Sequence, residues 1–468
     1  QAFDGSLNDG INISGSVDLQ NLELSGGPLG DDRPFLEQTS VEFASMIGTD
    51  SLEISSLTLS SPLASGSLKA TVASQGSLQF ETGLRVDLQK VASQIPHTLN
   101  LQEGLQITGG NLALDGQLQS LEGENRFRGE ALVEGLAGIR EGQNISLDEP
   151  FTLSLDGQQG AGGIRLDNFA VRSSFLEGEG QGDLNDMRLS LKADLGAALE
   201  EISKFIALQN YMAEGRLELS LAAQRKDDAT VNMETQIDAE NLMVKQGDIV
   251  IIPRTPLQLS GAANILLSQE FEFSGVADGG LAYQTWLGQG SLRAKDIVLG
   301  GDKLIRSVGE ISTDSRVRLG DLGGMLKNLK VLPTPFALAG ESRVQATVSG
   351  ADGTFLIDDL SVDSSKLSVR KGEANLIPES TLTIAGSSAV TLGADGALAS
   401  IDRPQFSYQS WLGSGTVQAA SFDVATTTAK ELAFTGKTNL AMLAELCNAM
   451  ELLPAGLNFG GMDSSSLT

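Results

Sequence analysis

The sequence predicts a mainly β protein: an elongated antiparallel β-sheet assembled from repeated units, with one short amphipathic helix in each repeat. Three observations predict this class. Apolar and polar residues alternate at period two, Asp-Gly pairs recur along the chain, and two near-identical segments lie 125 positions apart. Such alternation puts apolar side chains on one face of a sheet and charged side chains on the other, which is typical of antiparallel sheets with one solvated face.

Alternation is clearest in four segments that begin near residues 187, 217, 231 and 344. Their apolar positions are Met187, Leu189, Leu191, Leu217, Leu219, Leu221, Val231, Met233, Ile237, Val344 and Val348. Asp-Gly pairs such as Asp115-Gly116 and Asp278-Gly279 tolerate the positive φ angles that tight hairpin turns need. These segments are therefore predicted to be strands, joined by hairpins.

The repeat is clearest in Tyr-Gln-Thr-Trp-Leu-Gly, which begins at Tyr283, and Tyr-Gln-Ser-Trp-Leu-Gly, which begins at Tyr408. Leu287 and Leu412 in these segments align with Leu63 and Leu176 in weaker copies. A period this long indicates a unit of several strands. The spacing predicts four units, at residues 1–110, 111–215, 216–340 and 341–468, which form one continuous elongated domain.

Each predicted unit contains one stretch with helical spacing, which follows an Asp or Asn. The residues predicted to precede these helices are Asp87, Asp194, Asp321 and Asn439. Such side chains accept hydrogen bonds from the free amides of a first helical turn. Apolar residues then recur on one helix face, and we expect that stripe to close a hydrophobic end or seam of the sheet instead of binding a cofactor.

The charge balance excludes several partners. There are 32 Lys and Arg against 60 Asp and Glu, which gives a net charge of −28. The chain has no basic run that could follow a phosphate backbone, so we expect no nucleic acid partner and no electrostatic attachment to anionic membranes.

The residue inventory also argues against catalysis. A single histidine, His97, follows a helix-ending proline, and a single cysteine, Cys447, lies on an apolar helix stripe. Zinc sites and Ser-His-Asp triads need more than these residues provide. Acidic pairs such as Asp31-Asp32 are interpreted as solvated turns. We therefore expect no enzyme activity, no cofactor and no metal.

The sequence begins at Gln1 and has no apolar run of 18 residues. We interpret the chain as a segment of a longer protein whose membrane anchor lies outside it.

The helical stretches of the last two units end in similar phrases. One runs from Asp321 through Leu332-Pro333 to Gly340, and the other runs from Leu440 through Leu453-Pro454 to Gly460. Alternating strands followed by a Leu-rich helix, Leu-Pro and another strand resemble the unit style of AsmA-like proteins. That group includes TamB-like proteins and other bridge-like lipid transporters of diderm bacteria.

The resemblance implies a long, U-shaped β-groove, apolar inside and polar outside. It implies a periplasmic protein tethered to the inner membrane, which carries phospholipid, or another acyl-chain lipid, between the inner and outer membranes. Outer-membrane proteins are implied as partners, because TamB-like members assist in their assembly. That assembly role is one alternative function, and a structural or adhesive β-repeat surface protein is another.

A sheet with one apolar face must cover that face. It either packs onto itself as a dry sandwich or solenoid, or it curls into a groove for lipid chains. Six further positions join the eleven alternating ones as candidate groove residues: Leu257, Leu259, Phe271, Phe273, Trp286 and Trp411. The two tryptophans either line a ligand surface or fill a corner between strands. Packing is favoured, because Pro62 and Phe175 replace them in the first two units.

Overall fold

The computed structural model describes residues 11–48, 50–73, 77–121, 123–160, 163–183, 185–208, 210–268, 272–300, 304–328, 331–333, 335–393, 396–424, 426, 428–449 and 461–467. The described chain is mainly β, as predicted, with antiparallel strand pairing and four α-helices. It divides into two compact units, Gln1–Gln224 and Arg225–Thr468, called here the first and second unit. The division into four repeats remains a prediction.

The first unit is an antiparallel meander with two helices. Its elements are β1 (Ile11–Glu23), a 3-10 turn (Gly27–Leu29), β2 (Phe35–Ile47), β3 (Ser51–Ser60), β4 (Ala64–Ala73), β5 (Leu78–Asp87), α1 (Leu88–Gln94), β6 (Leu105–Leu121), β7 (Glu124–Arg140), β8 (Gln143–Ser146), β9 (Phe151–Gly160), β10 (Gly163–Arg172), β11 (Leu176–Asp183), β12 (Asp186–Asp194), α2 (Leu195–Ser203) and β13 (Tyr211–Arg225). Each strand pairs with the next along the chain, except that β7 pairs with both β8 and β9.

The second unit follows the same plan. Its elements are β14 (Thr230–Gln246), β15 (Ile249–Leu267), β16 (Phe273–Thr285), β17 (Gly288–Leu299), β18 (Ile305–Arg318), α3 (Leu319–Asn328), β19 (Phe336–Ala351), β20 (Thr354–Lys371), β21 (Ala374–Leu392), β22 (Leu398–Ser410), β23 (Gly413–Gln418), β24 (Ser421–Asp423), β25 (Thr428–Lys430), β26 (Ala433–Asn439), α4 (Leu440–Ala449) and β27 (Met462–Leu467). Beyond β22 the meander splits, because β22 pairs with both β23 and β24, which continue to β26 and β25.

Three of the helix starts are confirmed. Asp87 Oδ1 accepts from Lys90 N at 3.0 Å, Asp194 Oδ1 accepts from Ala197 N at 3.0 Å, and Asn439 Oδ1 accepts from Ala441 N at 3.1 Å. The predicted start of α3 after Asp321 is wrong. That helix begins at Leu319, so Asp321 lies in its first turn and pairs with Arg318 at 2.9 Å.

One backbone hydrogen bond recurs at all four helices. The residue before each helix donates its amide to the carbonyl of the residue before β4, β11, β17 or β23. The four pairs are Asp87 to Leu63, Asp194 to Phe175, Arg318 to Leu287 and Asn439 to Leu412, at 2.7 to 2.9 Å. These acceptors are the positions aligned in the sequence, with a shift of one residue at Phe175. The same turn-to-helix closure therefore occurs four times.

The helices of the first unit enclose its main buried cluster. Ala92 of α1, Ile107 of β6 and Phe205 after α2 are each less than 8% exposed and pack together. In the second unit, Gly323 of α3 lies against the Leu338 side chain, which leaves space for only a glycine or a very small residue there. The predicted packing role of the helices is consistent with these contacts.

Candidate functional site

The most extensive feature of the first unit is an unbroken apolar row across its sheet. Side chains that lie directly opposite one another in an antiparallel pair share a face. Successive cross-strand partners define one row through twelve strands: Val17, Val41, Leu59, Gly66, Leu84, Leu114, Ala131, Leu153, Val171, Gly178, Leu191 and Leu219. Every member is apolar or glycine.

Two parallel rows extend this surface. The second runs through Gly15, Phe43, Leu57, Leu68, Thr82, Gly116, Gly129, Leu155, Phe169, Gly180, Leu189 and Leu221. The third runs through Ile13, Ser45, Ile54, Ala70, Phe80, Leu118, Phe127, Gly157, Leu166, Gly182, Met187 and Ala223. The only polar members are Thr82 and Ser45. We call the three rows together the first apolar face.

The opposite face of the same strands is polar. The row next to Val17 contains Ser16, Glu42, Thr58, Ser67, Gly83, Asp115, Glu130, Ser154, Ala170, Glu179, Ser190 and Ser220. Cross-strand ion pairs such as Arg85–Asp115, at 2.8 Å, add to it. The two faces therefore differ in polarity along the whole sheet of the first unit.

The second unit repeats this division of faces. One row contains Val231, Ile265, Val276, Ile297, Val308, Gly350, Phe355, Val390, Ile401, Phe422 and Ala429. A second contains Ile237, Leu259, Tyr283, Gly290, Ser315, Val344, Val362, Ile384, Tyr408, Gly415 and Gly436. We call these rows, with the positions between them, the second apolar face.

Exposure varies along these faces: Val171 of the first face is 4% exposed, and Val231, Val308 and Phe355 of the second are 2–6% exposed, whereas other members are open to solvent. No large side chain of the described residues is fully buried, and within a single row Val17 is 50% exposed, Leu59 38% and Leu114 37%. Large aliphatic side chains on one continuous surface normally lie against a partner, because each exposed methylene costs about 0.8 kcal/mol relative to burial. Within the described residues, Val17, Leu59 and Leu114 remain partly exposed to solvent.

Most predicted groove residues lie on these faces. Met187, Leu189, Leu191, Leu217, Leu219 and Leu221 belong to the first, because Leu189 pairs with Leu221, Leu191 with Leu219, and Leu217 with Ala193. Val231, Met233, Ile237, Leu257, Leu259, Phe273, Val344 and Val348 pair with apolar or small residues in the second unit. Phe271 lies outside the described residues.

The two tryptophans lie elsewhere. Trp286 occupies the hairpin turn between β16 and β17, closed by the Thr285–Gly288 pair, and Trp411 occupies the matching turn between β22 and β23. Both are half-buried and outside the cross-strand rows. The comparison of the four repeat units favoured such a corner position for both tryptophans. A contribution to lipid binding by either residue remains a prediction.

Sequence reasoning missed most of the first apolar face, from β1 to β11. The signal was weakened by glycines, because Gly66, Gly178 and Gly180 occupy apolar-face positions where an alternating pattern calls for a large side chain. At Gly178, an added Cβ would lie 2.7 Å from a methyl of Leu191. The glycine therefore gives room to its apolar neighbour and keeps the surface continuous.

The lone histidine has a structural partner. His97 Nδ1 lies 2.9 Å from Oδ1 of the buried Asp32, and Thr98 donates to Asp32 Oδ2 through both its amide and its hydroxyl at 2.6 Å. Because the Thr98 hydroxyl bonds to the carboxylate and not to the imidazole, the cluster lacks the nucleophile-to-base contact of a triad. It joins the loop after β1 to the loop after α1. The interpretation of Asp31-Asp32 as a solvated turn is therefore wrong at Asp32, which is 4% exposed.

This cluster makes stability depend on pH. Burial raises the pKa of Asp32, but the hydrogen bonds from Thr98 and His97 outweigh it and lower the pKa to about 2. A depressed folded-state pKa contributes stability above the unfolded value of 3.8, and that contribution is lost as the pH falls through about 2. We expect Asp32→Asn to lower stability at neutral pH and to reduce its fall between about pH 4 and pH 2.

Urea unfolding at several pH values measures this effect, and the exposed neighbour provides the control. Asp31→Asn removes the same charge but none of the hydrogen bonds of the cluster, so it should change the acid limb of the stability curve less than Asp32→Asn does. Equal effects of the two variants would contradict the assignment.

Among the described residues, no group of three or more His, Cys, Asp or Glu side chains is placed to hold a metal ion. No described helix is long and apolar enough to cross a membrane. No protein-family model, curated protein or solved structure matches the chain.

Proposed function

We propose that the two apolar faces bind acyl chains and that the chain is part of a bridge-like protein that carries phospholipid between membranes. The observation that carries this proposal is the row from Val17 to Leu219, which is apolar or glycine at all twelve strands. In this proposal each face lines a groove within its own unit, open to lipid on its apolar side and polar outside. The location is the periplasm, with tethering to the inner membrane by a segment outside this chain, as the resemblance to AsmA-like proteins suggests.

Dimensions support an acyl-chain ligand. Strands lie about 4.8 Å apart, so the twelve-strand row extends for about 50 Å along the sheet. The hydrocarbon core of a bilayer is about 30 Å thick, so one acyl chain reaches about 15 Å and crosses about three strands. The row is therefore several acyl chains long, which suits a path better than a single closed pocket.

Uniformity of the row supports movement along it. An acyl chain that shifts along the row by one strand exchanges one aliphatic contact for a similar one. Its binding free energy therefore changes little from one position to the next. The adhesive alternative would use the polar outer face as its binding surface, with the apolar faces packed inside. The exposure of Val17, Leu59 and Leu114 favours the lipid-carrying function.

Lipid extraction tests the proposal. The purified chain is exposed to phospholipid vesicles, separated from them, extracted with organic solvent, and analysed by mass spectrometry. We expect phospholipid in amounts above one molecule per protein, because each apolar face is longer than one acyl chain. Absence of bound phospholipid would refute the proposal and favour a packed adhesive repeat.

A further inference from the structure

A cluster of three hydroxyl groups interrupts the second apolar face. Tyr283 Oη donates to Ser315 Oγ at 2.8 Å, Ser315 Oγ lies 3.1 Å from Thr313 Oγ1, and Thr313 Oγ1 donates to the Ser291 carbonyl at 3.3 Å. All three side chains share the apolar face, because Tyr283 pairs with Leu259, Ser315 with Val344, and Thr313 with Leu292. They are half-buried.

The hydrogen-bond directions in this cluster follow from counting protons. Each hydroxyl has one hydrogen to donate. Thr313 uses its hydrogen on the Ser291 carbonyl, so Ser315 must donate to Thr313, and Tyr283 donates to Ser315. All three hydrogens are engaged, whereas lone pairs on the oxygens stay available. The cluster can therefore accept hydrogen bonds from a ligand but has no hydrogen left to give.

The second copy of the repeat lacks this cluster. Tyr408 occupies the same row as Tyr283, but its ring stacks on Phe434 with a centroid distance of 6.2 Å. Ser315 pairs with Gly290 on the neighbouring strand. At the corresponding position of the second copy, Gly415 pairs with Gly436, which has no hydroxyl group. Among the described residues, the Tyr408 hydroxyl makes no side-chain hydrogen bond. The hydroxyl cluster is therefore a feature of one copy and not a requirement of the fold.

We propose that the Tyr283–Ser315–Thr313 cluster selects phospholipids whose head groups carry N–H or O–H donors. This inference rests on the proposed function, because it requires lipid on the second apolar face. An ethanolamine ammonium has three N–H donors for the acceptor oxygens, whereas a choline head group is trimethylated and has none. An acyl chain can also lie over the cluster at low cost in free energy, because all three hydroxyl hydrogens already have acceptors and none is left unpaired.

Competition between two lipids tests this selectivity. The chain is equilibrated with vesicles of palmitoyl-oleoyl phosphatidylethanolamine and palmitoyl-oleoyl phosphatidylcholine in equal amounts, and the bound lipids are counted by mass spectrometry. One added hydrogen bond predicts about a threefold to tenfold preference for ethanolamine lipid at the cluster itself. Lipid bound elsewhere on the two faces has no such preference, so the ratio counted over all bound lipid should lie above one but below that value. Tyr283→Phe removes one of the three acceptor oxygens and should lower the ratio. Tyr283→Phe combined with Ser315→Ala and Thr313→Val removes all three and should bring the ratio close to one, whereas Tyr408→Phe should retain the wild-type ratio.

The outcomes separate this inference from the proposed function. Bound phospholipid without a preference, or a preference that Tyr283→Phe leaves intact, overturns the head-group inference alone. Absence of any bound phospholipid overturns both. If Tyr283→Phe folds poorly, Ser315→Ala gives an independent reading, because it removes another of the three acceptor oxygens and leaves the aromatic ring. It too should lower the ratio, and an unchanged ratio overturns the inference.

Discussion

Replacing Val17, Leu59 and Leu114 together by aspartate is expected to reduce the phospholipid bound to the first unit at least about tenfold. These residues belong to one row of the first apolar face and are 50%, 38% and 37% exposed. An acyl chain that covers a carboxylate must remove its water, which costs more than the roughly 1–3 kcal/mol of an unpaired polar group. A loss of 1.4 kcal/mol already corresponds to about tenfold in affinity.

The polar face provides a matched control for this triple variant. Ser14→Asp, Ser60→Asp and Ala113→Asp add the same three charges on the polar face of the same strands. Ser14 pairs with Ala44, Ser60 with Ser40 and Ser65, and Ala113 with Arg85 and Leu132, so no acidic residue lies directly opposite any of these sites. Lipid binding by the control should equal that of the unmodified chain.

Bound phospholipid is measured by extraction and mass spectrometry, and the lipid counted per chain should fall towards the amount held by the second unit alone. Circular dichroism establishes that both variants fold. Because Val17, Leu59 and Leu114 are already substantially exposed, replacing them by aspartate should perturb folding little. Equal lipid content in the apolar-face variant and the polar-face control would show that the first apolar face is not where acyl chains bind.

Several local features of the fold could be predicted from the sequence, but the turns predicted at Asp115-Gly116 and Asp278-Gly279 were wrong, because these pairs lie inside β6 and β16. Period-two alternation located β12, β13, β14 and β19 and assigned their apolar side chains to one face. The Asp and Asn caps of α1, α2 and α4 were visible because a cap needs only a few neighbouring residues. At α3, Arg318 and Leu319 were not recognised as helix boundary residues, since Asp321 resembles a cap but acts as a first-turn acid that pairs with Arg318.

Long-range features could not be predicted, for physical reasons. The row from Val17 to Leu219 depends on register across every strand pair, and register shifts interrupt the simple alternation, as between Ile54 and Leu57. The Tyr283–Ser315 hydrogen bond joins residues 32 positions apart, and the contact between His97 and Asp32 joins residues 65 apart. Local spacing carries no information about such partners. The repeated Trp-Leu-Gly segment is visible in the sequence, but only the structure shows that its glycine is the residue that the turn requires.

Gly288 in that segment is expected to be one of the least replaceable residues of the second unit. It follows the Trp286-Leu287 turn with φ of 155°, and an added Cβ would lie 1.8 Å from the Arg316 carbonyl oxygen. Gly413 repeats this geometry, with φ of 158° and 2.0 Å to the Lys437 carbonyl oxygen. Both copies need glycine because the backbone of the neighbouring strand occupies the place of a side chain.

We therefore expect Gly288→Ala to destabilise the second unit by about 3 kcal/mol, from backbone strain and displacement of β18. For a unit of this size, that corresponds to a fall of about 6–12 °C in Tm, measurable by calorimetry. Gly324→Ala is the control, since the added methyl in α3 meets nothing within 4 Å. It should leave Tm unchanged or raise it, because alanine favours a helix over glycine by up to about 1 kcal/mol. If both variants melted alike, the close approach at Gly288 would not constrain the turn, and the shared Trp-Leu-Gly segment would need another explanation, such as the packing of Trp286 and Trp411.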